Sequence, residues 1–508
     1  MIQQVIISAF TFMTPRLMQP HTAQELSLWG LSTFVTRDPE LSITEITSAP
    51  LGEELGKQPP PKDNPVHKLV ALRGNKLLVS ADFPSDSDFQ SWAALTVSII
   101  QKTWDEDASL QALGKNRILP LFFSGIFSHL DPYSRYLSPQ QARKERLSRR
   151  GGEYSIGLTL KKQPGRYPVI DTINANSLIW ATGADIGQKL YEIDGHNTAD
   201  ASLDAINSWL TKTGPHSVTV RYGSSPSKAK SATIQLERLP PQTAFLERRK
   251  DGYLMLRVAD FSTQTADEIS QLLSDAFPPQ TSEHKPSPLR GIIIDLRGNK
   301  GGVLQQAVMT AALFMDRGIV ATTTGRYPAA NHIWAIQGGD ITNNSPLIIL
   351  VDGLTASAAE VLAAALADHH RAVIIGTATY GKGLVQDIGQ MPDGGEIFVT
   401  WSRNTAPQGE PLQTLGVIPQ LCTSSPKYTI TEQIMSLRQG ISLQGELMKQ
   451  SRAARDDTPT ETLLKIRQNC PSSLETPESI TAAFRLLASP EAYRTALRSV
   501  PVMADASP

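Results

Sequence analysis

An α/β core, preceded by a β-rich module and a helical N-terminal domain, is the architecture this chain predicts, and three observations predict it. Strand, turn and helix signals alternate across residues 239–425; short alternating strands separated by Gly and Asp turns fill 151–238; and apolar residues recur at helical spacing within 67–150. With 508 residues the chain has room for several compact units, each with its own core.

Residues 1–66 are expected to be a leader and linker. The apolar stretch "VIISAFTFM" (5–13) is shorter than the ~18 residues a membrane span needs. Three readings stay open for it: the apolar part of a secretory signal, which makes the protein exported and periplasmic, a buried first strand, or a start codon placed too far downstream. "GKQPPPKDNP" (56–65) is a linker, because its prolines continue neither helix nor central strand.

In the helical domain, "FQSWAALTVSIIQKTW" supplies the apolar period and "SHLDPYSRYLSPQQ" a turn-rich end. The module at 151–238 reads as strands "YSIGLTL", "YPVIDTI", "KLYEIDG" and "HSVTVRYG", with a helix around "ASLDAINSWLTK". In the core, "GIIIDLRG" (291–298) is apolar on both faces, as a doubly covered parallel strand must be. A sharp "NKGG" turn then opens a helix, "VLQQAVMTAALFMDRG", closed by Gly318, and the unit repeats as strand "PLIILVDG", helix 357–369 and strand "AVIIG". Such folds carry their site at the carboxyl ends of the strands. Residues 426–508 form a polar helical tail to which no chemistry can be assigned.

The net charge of −1 offers no attraction for nucleic acid or anionic lipid. Cys422 and Cys470 are the only cysteines, either two unrelated thiols or a bridge stabilising by about 4 kcal/mol in an oxidising compartment.

Ser357 opens the sequence Ser-Ala-Ala-Glu, which fits a capping box with Glu360. It also stands between a buried strand and a helix N-terminus, where free N–H groups stabilise an anion forming beside its oxygen. A serine nucleophile needs a base. None of the nine histidines sits in a tight glycine-framed motif, and His369 and His370 lie about three turns away, ~18 Å at 1.5 Å per residue. Lys382 in "TYGKGLVQ" follows an apolar strand and is flanked by Gly381 and Gly383. Burial lowers a lysine's pKa towards neutrality, as a base requires, whereas the simpler alternative is a solvated turn lysine. Gln386, four residues on, points to the same side if the segment is extended.

These residues carry a resemblance. "GIIIDLRGNKGG", "LVDGLTASAAEVLAAAL", "GTATYGKGLVQ" and "TAPQGEPLQTLGVIPQ" resemble, in order, the signatures of the C-terminal processing (tail-specific) serine proteases. "FSHLDPYSRYLSPQQ" is similar to the segment before that family's PDZ domain, and "IGLTL" with "GADIGQKLYEIDG" to the PDZ domain itself.

The resemblance implies a protease core with crotonase- and Clp-like strand-turn-helix units, cutting near protein C-termini without metal or cofactor. It places Ser357 on the nucleophile, Lys382 on the general base and Gln386 on the residue orienting it. The N–H groups of Ala358 and of Gly302, or its neighbour Gly301, fall on the oxyanion hole. Ile156, Gly157 and Leu158 fall on the loop that takes a peptide carboxylate. The implied partners are proteins or peptides with accessible C-termini, together with an adaptor protein or further copies of the chain. Leu354-Thr355-Ala356, Gly187-Gln188 and Lys300 depart from the family pattern. Two other readings compete: a catalytically inactive PDZ scaffold that binds C-terminal peptides, and an acyl-CoA enzyme of the crotonase type.

Overall fold

The structure, a computed structural model, describes residues 1–48, 66–149, 154–173, 177–212, 214, 216–238, 242–249, 251–277, 289–474 and 477–502. The linker expected at 56–65 lies outside them. The chain divides into two compact units. One comprises Met1–Lys144, Thr323–His332 and Leu384–Asn404; the other comprises Glu145–Thr322, Ile333–Gly383 and Thr405–Pro508. Among the described residues no helix is long and apolar enough to cross a membrane.

The first unit begins with two packed helices, Ile2–Arg16 and Ala23–Arg37, where a leader was expected. Val5, Ile6, Ala9, Phe10 and Met13 line one face of the first helix and are buried. Thr22 and Glu25 form a reciprocal capping box on the second. Strands Leu41–Ser48, Val66–Arg73 and Lys76–Asp82 then make an antiparallel meander, so residues 66–82 are β rather than helical. Helices Phe89–Glu106, Ala108–Leu113 and Ile118–Phe127 follow. The helices Ala23–Arg37 and Ile118–Phe127 approach closely at Gly30, where a Cβ would stand 2.2 Å from the Phe122 ring. Strand Glu396–Thr405 pairs antiparallel with Arg135–Leu137 and with Leu384–Gln390.

In the second unit, residues 154–238 form a small β module. Its main sheet runs in the order Lys230–Gln235, Ser217–Gly223, Lys189–Ile193, Val169–Ile173, Leu158–Lys161, so Leu158–Lys161 is an edge strand. Helix Leu203–Leu210 packs Ile206 and Leu210 into the module's own core.

The other six-stranded sheet of this unit contains Ala244–Arg248, Tyr253–Val258, Gly291–Asp295, Leu347–Val351, Val373–Gly376 and Leu421–Cys422 in that order. All neighbours from Tyr253–Val258 onward are parallel. Gly291–Asp295 and Leu347–Val351 are buried at every position, which explains their uninterrupted apolar sequence. Helices Leu304–Ala311 and Ala358–Asp368 cover one face, and the tail helices Ile430–Arg438, Pro477–Leu487 and Pro490–Leu497 pack on the other.

Gly318 closes no helix. The helix ends at Ala311, and Gly318 lies in strand Arg317–Thr324, where a Cβ would stand 2.5 Å from the His369 ring. Cys422 and Cys470 are bridged, which joins the sheet's last strand to the tail.

Candidate active site

Three loops leave the carboxyl ends of adjacent parallel strands and are tied together by their own polar groups. In the loop after Leu347–Val351, Asp352 Oδ1 accepts N–H bonds from Gly298 (2.9 Å), Leu354 (3.0 Å) and Thr355 (3.0 Å). Thr355 Oγ1 donates to Leu296 O at 2.9 Å, and Ala356 N donates to Asn299 O at 2.9 Å. From the loop after Val373–Gly376, Tyr380 N donates to Thr355 O at 2.9 Å. The departure Leu354-Thr355-Ala356 thus contains a threonine whose hydroxyl joins two of the loops.

Ser357 terminates this construction with φ 57° and ψ −120°, a conformation that side chains rarely adopt. Such strain costs roughly 1–3 kcal/mol and persists only where the surroundings impose it. The cause stands three residues on. Glu360 is fully buried, and its Oε2 accepts the Ser357 N–H at 2.7 Å, the glutamate arm of the capping box. The same oxygen accepts the Lys382 N–H at 2.9 Å, so the serine and lysine backbones are held no farther apart than two hydrogen bonds laid end to end. Its Oε1 accepts from Gly381 N at 2.7 Å and from the Thr379 hydroxyl. Burial raises the Glu360 pKa, while the bonds from Thr379, Lys382, Gly381 and Ser357 oppose that rise by stabilising the anion.

Ser357 and Lys382 are each half-buried. Helix Ala358–Asp368 is buried at every residue, and its run of alanines fits between neighbours on all sides. His369 Nε2 lies 2.7 Å from Ile319 O and His370 Nδ1 3.0 Å from Leu497 O, so both are engaged at the far end of that helix.

Of the two candidate glycines, Gly301 N donates to Asn299 Oδ1 at 2.8 Å. The N–H groups of Gly302 and Ala358 meet no acceptor among the described residues. Gly301 itself presses on the serine, since a Cβ there would stand 2.7 Å from Ser357 Cβ.

Gln386 belongs to the first unit. Its Nε2 donates to Leu384 O (3.2 Å) and Thr400 Oγ1 (3.1 Å), and Thr400 Oγ1 donates to Asp131 Oδ1 at 2.8 Å. The segment "SHLDPYS" thereby supports Gln386, a link that sequence spacing did not reveal. Pairing is irregular between Val385 and Gln386, and the strand starts only at Leu384. Simple alternation counted from Lys382 therefore does not fix the direction of Gln386.

In the β module, Ser155, Gly157, Leu158, Leu160, Asn207 and Leu210 help line a groove of about 340 Å³ between the edge strand and the helix. The Ile156 side chain is buried in the module core, leaving its backbone for the groove. Gly157 has φ 70°, and its N–H donates to Ser155 Oγ at 3.1 Å. Lys162 Nζ donates to the carbonyls of Thr198 (2.8 Å), Ala199 (2.7 Å) and Ala201, which ties the end of the edge strand to the turn that opens the helix. Among the described residues no cluster of three or more His, Cys, Asp or Glu is placed to hold a metal ion.

The profile of peptidase family S41 matches residues 252–422, the stretch that holds all three loops. A carboxy-terminal-processing protease of Bartonella bacilliformis is 29% identical over 307 residues, covering 60% of this chain and 69% of that protein. A carboxyl-terminal-processing protease of Picosynechococcus is 30% identical over 300 residues, covering 57% and 69% respectively. One from Synechocystis is 29% identical over 310 residues, covering 59% and 70%. The chain belongs to peptidase family S41, the family of the carboxyl-terminal-processing proteases, and is a serine-type peptidase.

Proposed function

We propose that the protein is an endopeptidase that hydrolyses peptide bonds near the C-termini of proteins, with Ser357 as nucleophile and Lys382 as general base. The observation that carries this reading is the shared Glu360 oxygen, which joins the Ser357 and Lys382 backbones through two hydrogen bonds. A cap needs only the first of them.

In this mechanism the neutral Lys382 amine takes the hydroxyl proton as Ser357 Oγ bonds to the scissile carbonyl carbon. The oxyanion is met by the N–H groups of Gly302 and Ala358, each such donor contributing about 3–4 kcal/mol to the transition state. Collapse breaks the C–N bond, and protonated Lys382 returns the proton to the leaving amine. Water then releases the acyl group from Ser357. Gln386 falls, by the family resemblance, on the residue that orients the lysine, and its amide nitrogen is committed to Leu384 and Thr400.

Residues 154–238 act as a PDZ domain. The edge strand Leu158–Lys161 accepts the substrate tail as an additional strand, and Leu158, Leu160 and Leu210 give the groove an apolar lining for a C-terminal side chain. The tail carboxylate competes with Ser155 Oγ for the Gly157 N–H. An exported location and help from an adaptor or from self-association belong to the same proposal.

Ser357→Ala tests the reading. Cleavage of an unfolded protein substrate is expected to fall by at least about a thousandfold, as for other serine nucleophiles, while binding of a C-terminal peptide stays intact. Turnover at the wild-type rate in that variant excludes Ser357 as nucleophile. Peptide binding without cleavage by the wild-type protein supports the inactive scaffold instead.

A further inference from the structure

The tail beyond residue 425 has no evident chemistry in the sequence, yet residues 467–473 grip the loops that carry Ser357 and Lys382. Arg467 Nη2 donates to Thr379 O (2.8 Å) and Ser472 Oγ (2.7 Å), and Nη1 donates to Leu415 O (2.7 Å). Ser472 Oγ donates to Ala378 O at 2.8 Å. The Ser473 carbonyl accepts from Gly353 N at 2.8 Å and from Thr377 Oγ1 at 3.1 Å, and Ser473 N donates back to Thr377 Oγ1 at 3.2 Å. One short segment thus holds residues 377–379, just before Lys382, and Gly353, just before Ser357. Cys470, inside that segment, is bridged to Cys422 and fixes it to the sheet.

The guanidinium comes close to the catalytic loops themselves. A Cβ on Gly381 would lie 3.3 Å from Arg467 Nη1, and one on Gly416 would lie 2.8 Å from that nitrogen and 3.1 Å from Glu360 Oε1. Thr379 is the residue common to both charges: its carbonyl accepts from Arg467 and its hydroxyl donates to Glu360. Arg467 therefore fixes the far side of the same turn whose N–H groups Glu360 collects.

We propose that Arg467 is a positioning residue for the Ser357–Lys382 pair, acting through Thr379 to keep the 377–382 loop seated on Glu360; this rests on the dyad reading above. A five-donor planar cation is suited to the task, since it reaches two carbonyls and a hydroxyl on three separate segments. If the loop loosens, the lysine amine is misplaced relative to the serine hydroxyl, while the groove that binds the substrate tail is untouched.

The experiment uses the full chain and compares wild type, Arg467→Gln, Arg467→Lys, Ser472→Ala and Ser357→Ala. The readouts are kcat and KM on a protein with an accessible C-terminus, labelling of Ser357 by a fluorophosphonate probe, and the unfolding midpoint. Arg467→Gln is expected to lower kcat and the labelling rate about 10- to 100-fold, the scale of a small misplacement of reacting groups, with KM within about twofold. Arg467→Lys recovers part of that loss by keeping the charge and one carbonyl bond. Ser472→Ala, an exposed position, lowers kcat by a smaller factor with little change in the midpoint.

Wild-type kcat in folded Arg467→Gln overturns the proposal. If Arg467→Gln does not fold, wild-type kcat in Ser472→Ala overturns it. Equal loss in the Lys and Gln variants, tracking only the unfolded fraction, overturns it too. Wild-type turnover by Ser357→Ala instead removes the dyad reading itself, a separate outcome.

Discussion

The carboxyl end of the large parallel sheet and the β module at 154–238 deal with backbone polar groups in opposite ways. At the sheet end, Asp352 and Glu360 together collect six backbone N–H groups, so the loops have little freedom left. The module instead leaves Leu158–Lys161 as an edge strand beside an open groove. Fixed geometry suits bond-breaking, where misplacement by about 1 Å costs about a hundredfold in rate. An unpaired edge suits recognition of many sequences, because main-chain hydrogen bonds do not depend on side chains.

Breaking the fixed region has the larger effect. Glu360→Gln places an amide N–H against backbone N–H groups that now find a carboxylate, and kcat is expected to fall about a hundredfold with KM nearly unchanged. Steady-state kinetics beside circular dichroism check this; wild-type kcat in a folded variant means the loops hold without the carboxylate. Breaking the open region should separate binding from chemistry. Leu158→Glu puts a charge into the apolar groove and is expected to raise KM about tenfold for a substrate with an apolar C-terminus, while kcat stays constant. A change confined to kcat contradicts the assignment of the groove.

The smallest expected effect concerns a buried acid of the core. Glu410 lies 3.1 Å from Arg452, which also holds Asp368 at 2.9 Å. Burial, and then the neighbouring Asp368, push the Glu410 pKa from 4.5 up to about 8. Between those values the folded protein keeps a proton that the unfolded chain has released, so stability falls as pH rises across that window. Glu410→Gln removes this contribution. The difference in unfolding midpoint between pH 5.5 and 8.5 should be smaller in the variant than in wild type, and parallel slopes contradict it.

Much of the core was legible in sequence because its signals are local. The wholly apolar "GIIID" and "LIILV" mark doubly covered strands, and Ser357 and Lys382 follow such strands directly. The first helix was not read, although Val5, Ile6, Ala9, Phe10 and Met13 keep a helical period, because so short an apolar run fits a signal or a strand as well. Glu360 was visible only as a cap. Its second role depends on N–H groups 21 and 22 residues downstream.

By itself the sequence determined where strands and helices alternate, which residue types could act as nucleophile and base, and which family the chain resembles, because periodicity and short motifs are properties of neighbouring residues. Tertiary structure alone decided that Cys422 meets Cys470, that Thr400 links Gln386 to Asp131, and that Arg467 reaches Thr379. Those contacts join residues from 14 to 269 positions apart along the chain. A buried polar group takes whichever partner folding brings within about 3 Å, and sequence spacing carries no record of that choice.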